Sequence, residues 1–374
     1  MTSSANISNF LQERIDAGDF PSAVYLVAEK GEIVLRDALG YAVVEPERIE
    51  ARLDTIYDVA SLTKVLVTCI LCAKLIETGD LNLADPAAHY LAEFASSDKR
   101  GIAVKHLLTH ESGLRGWLPL YLLTPDKAKI IDIIAERPLD YPTGSKVEYS
   151  DPNFMALEAI IERHFGRKLD SVAEQQIVDP LGLKDTHFNP DPRLKPRMAA
   201  SEKGNEFERQ TCIDLGYGEQ LRTPNPALRT YQIWGEVHDG HAYFMGGLAG
   251  HAGLFSTAEE VFKIAKQFSP NYTKLLKPET CELFRTNFTP GMNEHRSFAF
   301  QLASTPDSTA GSKMTPESFG HTGFTGTSLW IDPVNERIFV LLTNRTHNHG
   351  LPFANINSVR RRFHDLAIEE LERN

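Results

Sequence analysis

The spacing of apolar positions changes along the chain, and each change marks a different element. Asn9 to Ala17 carries its apolar residues on one helical face, a short amphipathic helix. Ser22-Ala23-Val24-Tyr25-Leu26-Val27-Ala28 is then rich in strand formers; a Lys30-Gly31 turn and a second run from Glu32 through Arg36 complete a hairpin. From Ser61 to Thr78 the helical period returns and predicts a long buried helix, ended by Gly79. Residues 80 to 205 are mainly helical in pattern, with candidates Lys105 to Thr109, Ala128 to Ala135, Asn153 to His164 and Leu169 to Ile177. Met198 to Tyr243, crowded with Gly, Pro and polar residues, reads as irregular. Leu254 to Phe268 reads as a helix capped by Ser256 or Thr257, with Glu259 and Glu260 in its first turn.

Strand-like runs fill the last third: Phe298 to Ser304, Ser318 to Thr322, Thr327 to Ile331 and Arg337 to Thr343. The last two join through the turn Asp332-Pro333-Val334-Asn335-Glu336, and an amphipathic helix from Phe353 to Glu372 follows. Strands at both ends around a helical middle predict an α+β fold, with one sheet assembled from both termini and a helical insertion. No internal repeat is visible.

Composition narrows the function. At 42% hydrophobic and 24% charged residues over 374 positions, the chain is globular rather than disordered. Its formal charge of -11, from 39 Lys and Arg against 50 Asp and Glu, argues against a nucleic-acid partner. The longest apolar run, Val65 to Ile76, is broken by Lys74 and falls short of the ~20 residues of a membrane helix. Met1-Thr2-Ser3-Ser4-Ala5-Asn6-Ile7 has no basic start and no apolar stretch, so a cytoplasmic location is expected, or a periplasmic one if a leader has been removed. Cys69 and Cys72 fall inside an apolar helical run, which favours core packing over redox or metal chemistry; with Cys212 and Cys281 they are too few for a disulfide framework.

G-x-S-x-G, H-E-x-x-H, Walker A and G-x-G-x-x-G are all absent. S-x-x-K occurs twice. Ser96-Ser97-Asp98-Lys99 lies in a polar stretch and reads as a loop, whereas Ser61-Leu62-Thr63-Lys64 opens the long buried helix. There the Ser61 N–H is unpaired in the first turn, and Ser61 and Lys64 project from one face. The helix dipole and partial burial both disfavour the ammonium of Lys64 and push it toward a usable base. By this motif alone, a nucleophile and a capping serine beside a solvent-facing lysine are equally open. Tyr149-Ser150-Asp151 adds a phenol whose pKa a neighbouring lysine cation can lower. Gly320-His321-Thr322-Gly323-Phe324-Thr325-Gly326 lets a substrate lie close along a strand edge, with the Phe324 N–H as a second oxyanion donor beside that of Ser61.

In this order, Ser61-x-x-Lys64, Tyr149-x-Asp151 and His321-Thr322-Gly323 resemble the three motifs of the serine β-lactamase and penicillin-binding protein superfamily, most of all its class C-like branch with D-Ala-D-Ala carboxypeptidases and esterases. His106-Leu107-Leu108-Thr109-His110-Glu111-Ser112-Gly113-Leu114 and Gly247-Leu248-Ala249-Gly250-His251-Ala252-Gly253-Leu254-Phe255-Ser256 agree, and the resemblance spans about Phe20 to Arg362. It implies a central antiparallel sheet flanked by helices (1–79 and 206–374), joined to a mainly helical domain (80–205), with the site between them. It also implies an acyl-enzyme on Ser61, formed with Lys64 or Tyr149 as base and hydrolysed with Tyr149 as proton shuttle. Asp151, His321, Thr322 and Gly323 would bind substrate.

Two positions depart from the family pattern. His321 replaces a lysine and is mostly neutral near pH 7, and Asp151 replaces an asparagine and places an anion beside the acyl site. Both weaken the case for lactams that carry a carboxylate and leave esters and neutral amides untouched. The expectation is a serine hydrolase acting on small-molecule esters or neutral amides. A D-Ala-D-Ala carboxypeptidase or D-aminopeptidase, or a weak class C-type β-lactamase, is the alternative. A non-catalytic binding module is disfavoured because Ser61, Lys64 and Tyr149 all remain. No cofactor, metal, membrane or nucleic acid is expected, and the sequence leaves the oligomeric state open between monomer and dimer. Asp239, His238, His241 and His251 read as hydrogen-bonded loop residues rather than a metal site. Trp117, Tyr121 and Trp234 suit core packing or an apolar acyl pocket, and Arg360-Arg361-Arg362 a solvated helix face.

Overall fold

The computed structural model describes residues 4–95, 97–222, 225 and 227–373. Its centre is a seven-stranded antiparallel sheet in the spatial order Ile49–Glu50, Glu32–Val43, Ser22–Glu29, Arg337–Thr343, Ser328–Asp332, Phe319–Thr322, Gln301–Leu302. The two termini meet in the middle: Ser22–Glu29 pairs with Arg337–Thr343 from Ala23 opposite Thr343 to Glu29 opposite Arg337. Ala23 to Ala28 of this strand are all apolar or aromatic because both faces of the sheet are covered. Val24, Leu26 and Ala28, with Ile338, Val340 and Leu342, face one core, alongside Val65, Leu66, Val261 and Ile264. Ala23, Tyr25 and Val27, with Phe339 and Leu341, face the other, under Ile7 and Leu11 of the first helix and Val359 and Phe363 of the last.

The hairpin turn falls at Lys30 and Gly31, both at positive φ (50 and 79). The first helix begins earlier than its apolar pattern, at Ala5, where the Ser4 hydroxyl accepts the Ile7 N–H. The long apolar run folds as a 3-10 turn (Ala60–Leu62), wide π-type turns (Lys64–Cys69) and an α-helix (Ile70–Thr78) ended by left-handed Gly79. Cys69 and Cys72 are buried free thiols inside it, and burial pushes both up. Among the described residues no helix is long and apolar enough to cross a membrane.

Several elements differ from their sequence pattern. Leu254–Ser256 is a strand, not the start of a helix. It pairs with Tyr57–Asp58 and His187–Phe188, and the helix Ala258–Ala265 starts only after Thr257 caps it. Met198 to Tyr243 is not irregular: it holds a two-stranded sheet (Ala200–Lys203 with Gln232–Trp234) and the helices Glu206–Asp214 and Gly240–Phe244. Glu206–Asp214 turns Glu208 and Cys212 inward, so hydrophobic periodicity could not reveal it. The strand read over Phe298 to Ser304 shrinks to Gln301–Leu302, because Phe298 and Phe300 pack into a cluster with Phe284 and Phe319 and Ala299 takes φ +70. In the second S-x-x-K, Ser96 lies outside the described residues, as do Met1 to Ser3. Ser97–Gly101 is a 3-10 turn rather than a loop, with Lys99 buried against Asp98 and the Arg137 carbonyl.

Candidate active site

The site grows from the strand Tyr57–Asp58. Pairing with Leu254–Ser256 fixes the backbone up to Val59, whose N–H donates to the Leu254 carbonyl at 3.0 Å. Ala60 then takes φ +48, a conformation that costs a non-glycine residue about 1–3 kcal/mol. Asp58 holds it there: one carboxylate oxygen accepts the Ala60 N–H at 2.9 Å and the other the His238 N–H at 2.7 Å. This kink turns Ser61 into a cavity of about 530 Å³ that Tyr149, Asp151, His321, Thr322, Gly323 and Phe324 also line.

Lys64 is fully buried beneath Ser61. Its Nζ donates to Asp151 Oδ1 at 2.7 Å, the His251 carbonyl at 3.0 Å and Ser61 Oγ at 3.2 Å. Three acceptors for one nitrogen suit the three N–H groups of an ammonium. The sequence argument for a depressed lysine is therefore corrected: burial pulls the pKa down, but the charge of Asp151 and the Tyr149 hydroxyl outweigh it, and the net direction is up. The Gly250-His251 segment that supplies this carbonyl is tied down by the Thr68 hydroxyl on the Gly250 carbonyl (2.6 Å) and the Gly250 N–H on Glu158 (2.8 Å).

The Tyr149 hydroxyl is enclosed, with Lys64 Nζ 4.9 Å from its ring centroid. Here too the expectation is corrected: burial raises the phenol pKa more than Lys64 lowers it, with Asp151 adding to the rise. His110, at φ +61, accepts the Ser150 N–H at 3.0 Å and lies 4.6 Å from the Tyr149 ring, holding that loop in place. On the facing wall, His321 Nδ1 donates to the Thr322 carbonyl at 2.9 Å, which leaves a bare lone pair on the buried Nε2. Burial, with Arg296 and Lys64, holds this imidazole well below its ordinary pKa, so it is neutral. A side chain at Gly323 would sit 2.0 Å from Thr327 Oγ1 and 2.6 Å from the Val59 carbonyl, so only glycine fits. The Thr325 and Thr327 hydroxyls donate to the carbonyls of Asp58 (2.8 Å) and Val59 (3.0 Å), stitching this loop to the turn before Ser61.

Three arginines that the motifs did not mark also line the cavity: Arg296, Arg345 and Arg360. Arg296 is 5% exposed; its Nη2 pairs with Glu294 at 2.7 Å, while Nε and Nη1 are buried without a partner among the described residues. Arg360 is buried against main-chain carbonyls and Arg361 bonds those of Ser308 and Asp307, so of the three consecutive arginines only Arg362 stands on a solvated face. Helical phase held the signal for Arg360: Phe363, His364 and Ala367, three, four and seven residues on, are all buried.

Asp239, His241 and His251 bring their donor atoms within 4.8 Å of one another. However, His241 Nε2 accepts the Leu120 N–H at 3.1 Å, so the ring proton sits on Nδ1 and offers a metal no lone pair. His251 Nε2 bonds Asp239 Oδ1 at 3.1 Å, a pairing that raises the imidazole and lowers the carboxyl. Trp117 lines the cavity; Tyr121 is buried on Glu208 at 2.8 Å, and Trp234 bonds the Met198 carbonyl away from the cavity.

An antiparallel sheet covered by helices, with a buried lysine under a serine at its edge, is the frame of a serine hydrolase of the β-lactamase/transpeptidase type. The sequence model of the β-lactamase family matches residues 7–360, and the chain belongs to that family. It is 32% identical, over 91% of its length and 82% of the other, to a protein of Escherichia coli (strain K12) named "Putative D-alanyl-D-alanine carboxypeptidase". Among solved structures it resembles a class C β-lactamase from Rhodobacter sphaeroides (TM-score 0.72, 17% identity, 98% and 99% of the two chains). It also resembles EstCE1, described as a hydrolase with promiscuous acyltransferase activity (TM-score 0.71, 20% identity, 96% and 97% of the two chains).

Proposed function

We propose that this hydrolase works through an acyl-enzyme on Ser61 and prefers peptide amides that carry a carboxylate next to the scissile bond. Lys64 supports the first part. In its amine form, Asp151 and the His251 carbonyl hold its two N–H groups, and the third tetrahedral direction, a lone pair, faces Ser61 Oγ. Ser61 Oγ gives its proton to that amine and adds to the substrate carbonyl carbon. The carbonyl electron pair moves onto oxygen, toward the Ser61 and Phe324 N–H groups. On collapse the leaving nitrogen takes the Tyr149 proton, and the Lys64 ammonium reprotonates Tyr149. A neutral phenol suits that task. Water then cleaves the ester, its proton following the same route back, and Ser61 is regenerated. We place this site at the junction of 1–79 with 206–374 and the insertion 80–205.

Arg296 carries the substrate preference. It supplies, from outside the third motif, the cation that neutral His321 lacks, and it has donors unused among the described residues. The carboxypeptidase name of the Escherichia coli relative agrees. Turnover of a D-alanyl-D-alanine peptide, its C-terminal amide and a p-nitrophenyl ester tests this. A hydrogen-bonded charge contributes about 1.5–3 kcal/mol, so amidation is expected to lower kcat/KM at least ~10-fold. Equal rates on the amidated peptide would overturn the preference. A neutral His321 sharing the cavity with the Asp151 carboxylate favours a second reading, ester and neutral amide hydrolysis, which faster turnover of the p-nitrophenyl ester would select.

A further inference from the structure

A trans peptide points its C=O and N–H in opposite directions. In the peptide joining Gly323 to Phe324, the carbonyl oxygen accepts from Arg360 Nη2 at 2.9 Å and from the Gly326 N–H at 3.1 Å. The Phe324 N–H therefore points to the side that Arg360 does not occupy, and no hydrogen bond among the described residues uses it. Arg360 is held from two further directions, by Nη2 on the Thr327 carbonyl (3.0 Å) and Nη1 on Asn357 Oδ1 (2.8 Å). The next peptide is gripped in the same way, with Arg345 Nε donating to the Phe324 carbonyl at 2.7 Å.

What Arg360 lacks is a carboxylate: none of its partners among the described residues is an anion, although it is only 5% exposed. Burial, with Arg345 adding, pushes its guanidinium down to about 9. A buried charge without a counter-ion is expensive. A charge kept at such a cost, and aimed at the carbonyl end of one peptide, acts on the N–H at the other end.

We infer that Arg360 is the positioning residue of the oxyanion hole: its bond to the Gly323 carbonyl orients and polarises the Phe324 N–H toward the oxygen that becomes negative when Ser61 adds to the substrate. This rests on the acyl-enzyme reading above. Arg360 makes and breaks no covalent bond; its effect reaches the oxyanion through the peptide.

The test is Arg360→Met and Arg360→Lys in the full chain, followed with a p-nitrophenyl ester and by fluorophosphonate inactivation. Deleting an oxyanion donor outright costs about 10²–10³ in kcat, so a misaimed one is expected to cost Arg360→Met about 10–100-fold in kcat, with KM within about twofold. Inactivation should slow in parallel, and Arg360→Lys should recover part of the rate. Wild-type kcat in folded Arg360→Met, or a change confined to KM, overturns the inference. If that variant does not fold, the same split in Arg360→Lys decides. Mass mapping of the fluorophosphonate adduct keeps the two readings apart. A label elsewhere than Ser61 defeats the acyl-enzyme reading itself, whereas a label on Ser61 at an undiminished rate defeats only the role of Arg360.

Discussion

The two walls of the cavity are built on opposite electrostatic plans. On the Ser61 wall each charge meets its partner: Lys64 is saturated by Asp151, the His251 carbonyl and Ser61, and Asp58 by two backbone N–H groups. On the His321 wall the cations outnumber their partners. Among the described residues, Arg345 and Arg360 bond only neutral groups, and Arg296 leaves two nitrogens unused. A saturated wall holds one proton arrangement at rest and so controls when Ser61 becomes reactive. A cationic wall stabilises negative charge that arrives with the substrate or develops during reaction. Under the proposed acyl-enzyme mechanism, the control of nucleophile and oxyanion is divided between two wall chemistries.

Ser61→Ala breaks the comparison most severely. If the saturated wall exists to activate that oxygen, turnover is expected to fall at least ~10⁴-fold, as in other serine enzymes stripped of the nucleophile. Residual rate near wild type in a steady-state assay would mean that the wrong wall carries the chemistry. Asp151→Asn sharpens the contrast by unbalancing the saturated wall. Without the carboxylate, Lys64 loses the strongest of the influences that raise its pKa while burial still lowers it, so more amine is present at a given pH. The rise of kcat/KM with pH should move to lower pH, and an unmoved profile would show that Lys64 is not the titrating base. The smallest effect belongs to Arg362→Ala, the control for Arg360 on the same helix. Exposed, and paired only with Glu369 at 3.4 Å, it should change neither kcat nor, by more than about 0.5 kcal/mol, stability in urea melts.

Much of this was legible in the sequence. The apolar runs around Tyr25 and Val340 announce a sheet drawn from both ends, and the ordered motifs bring Ser61, Tyr149, Asp151, His321, Thr322, Gly323 and Phe324 to one cavity, with Lys64 buried beneath Ser61. Protonation was not legible, because it depends on which partners surround a group. The lysine reads as a depressed amine until the His251 carbonyl and Asp151 take up its N–H groups. Nor were the arginines. Arg296 sits in a segment without periodicity, and a triple arginine reads as solvated until its helical phase is compared with Phe363 and His364. Polar helix Glu206–Asp214 and the short strand Leu254–Ser256 are set by tertiary pairing rather than by local pattern.

The pairing of Ser22–Glu29 with Arg337–Thr343 has a consequence for synthesis. The second strand of the sheet's central pair leaves the ribosome more than 300 residues after the first, and contacts so distant in sequence form slowly. Phe319–Thr322, which leads into the loop of Gly323 and Phe324, is anchored to that late strand through Ser328–Asp332. The nascent chain therefore carries Ser61 and Lys64 long before Arg337–Thr343 emerges to anchor the facing wall of the proposed site.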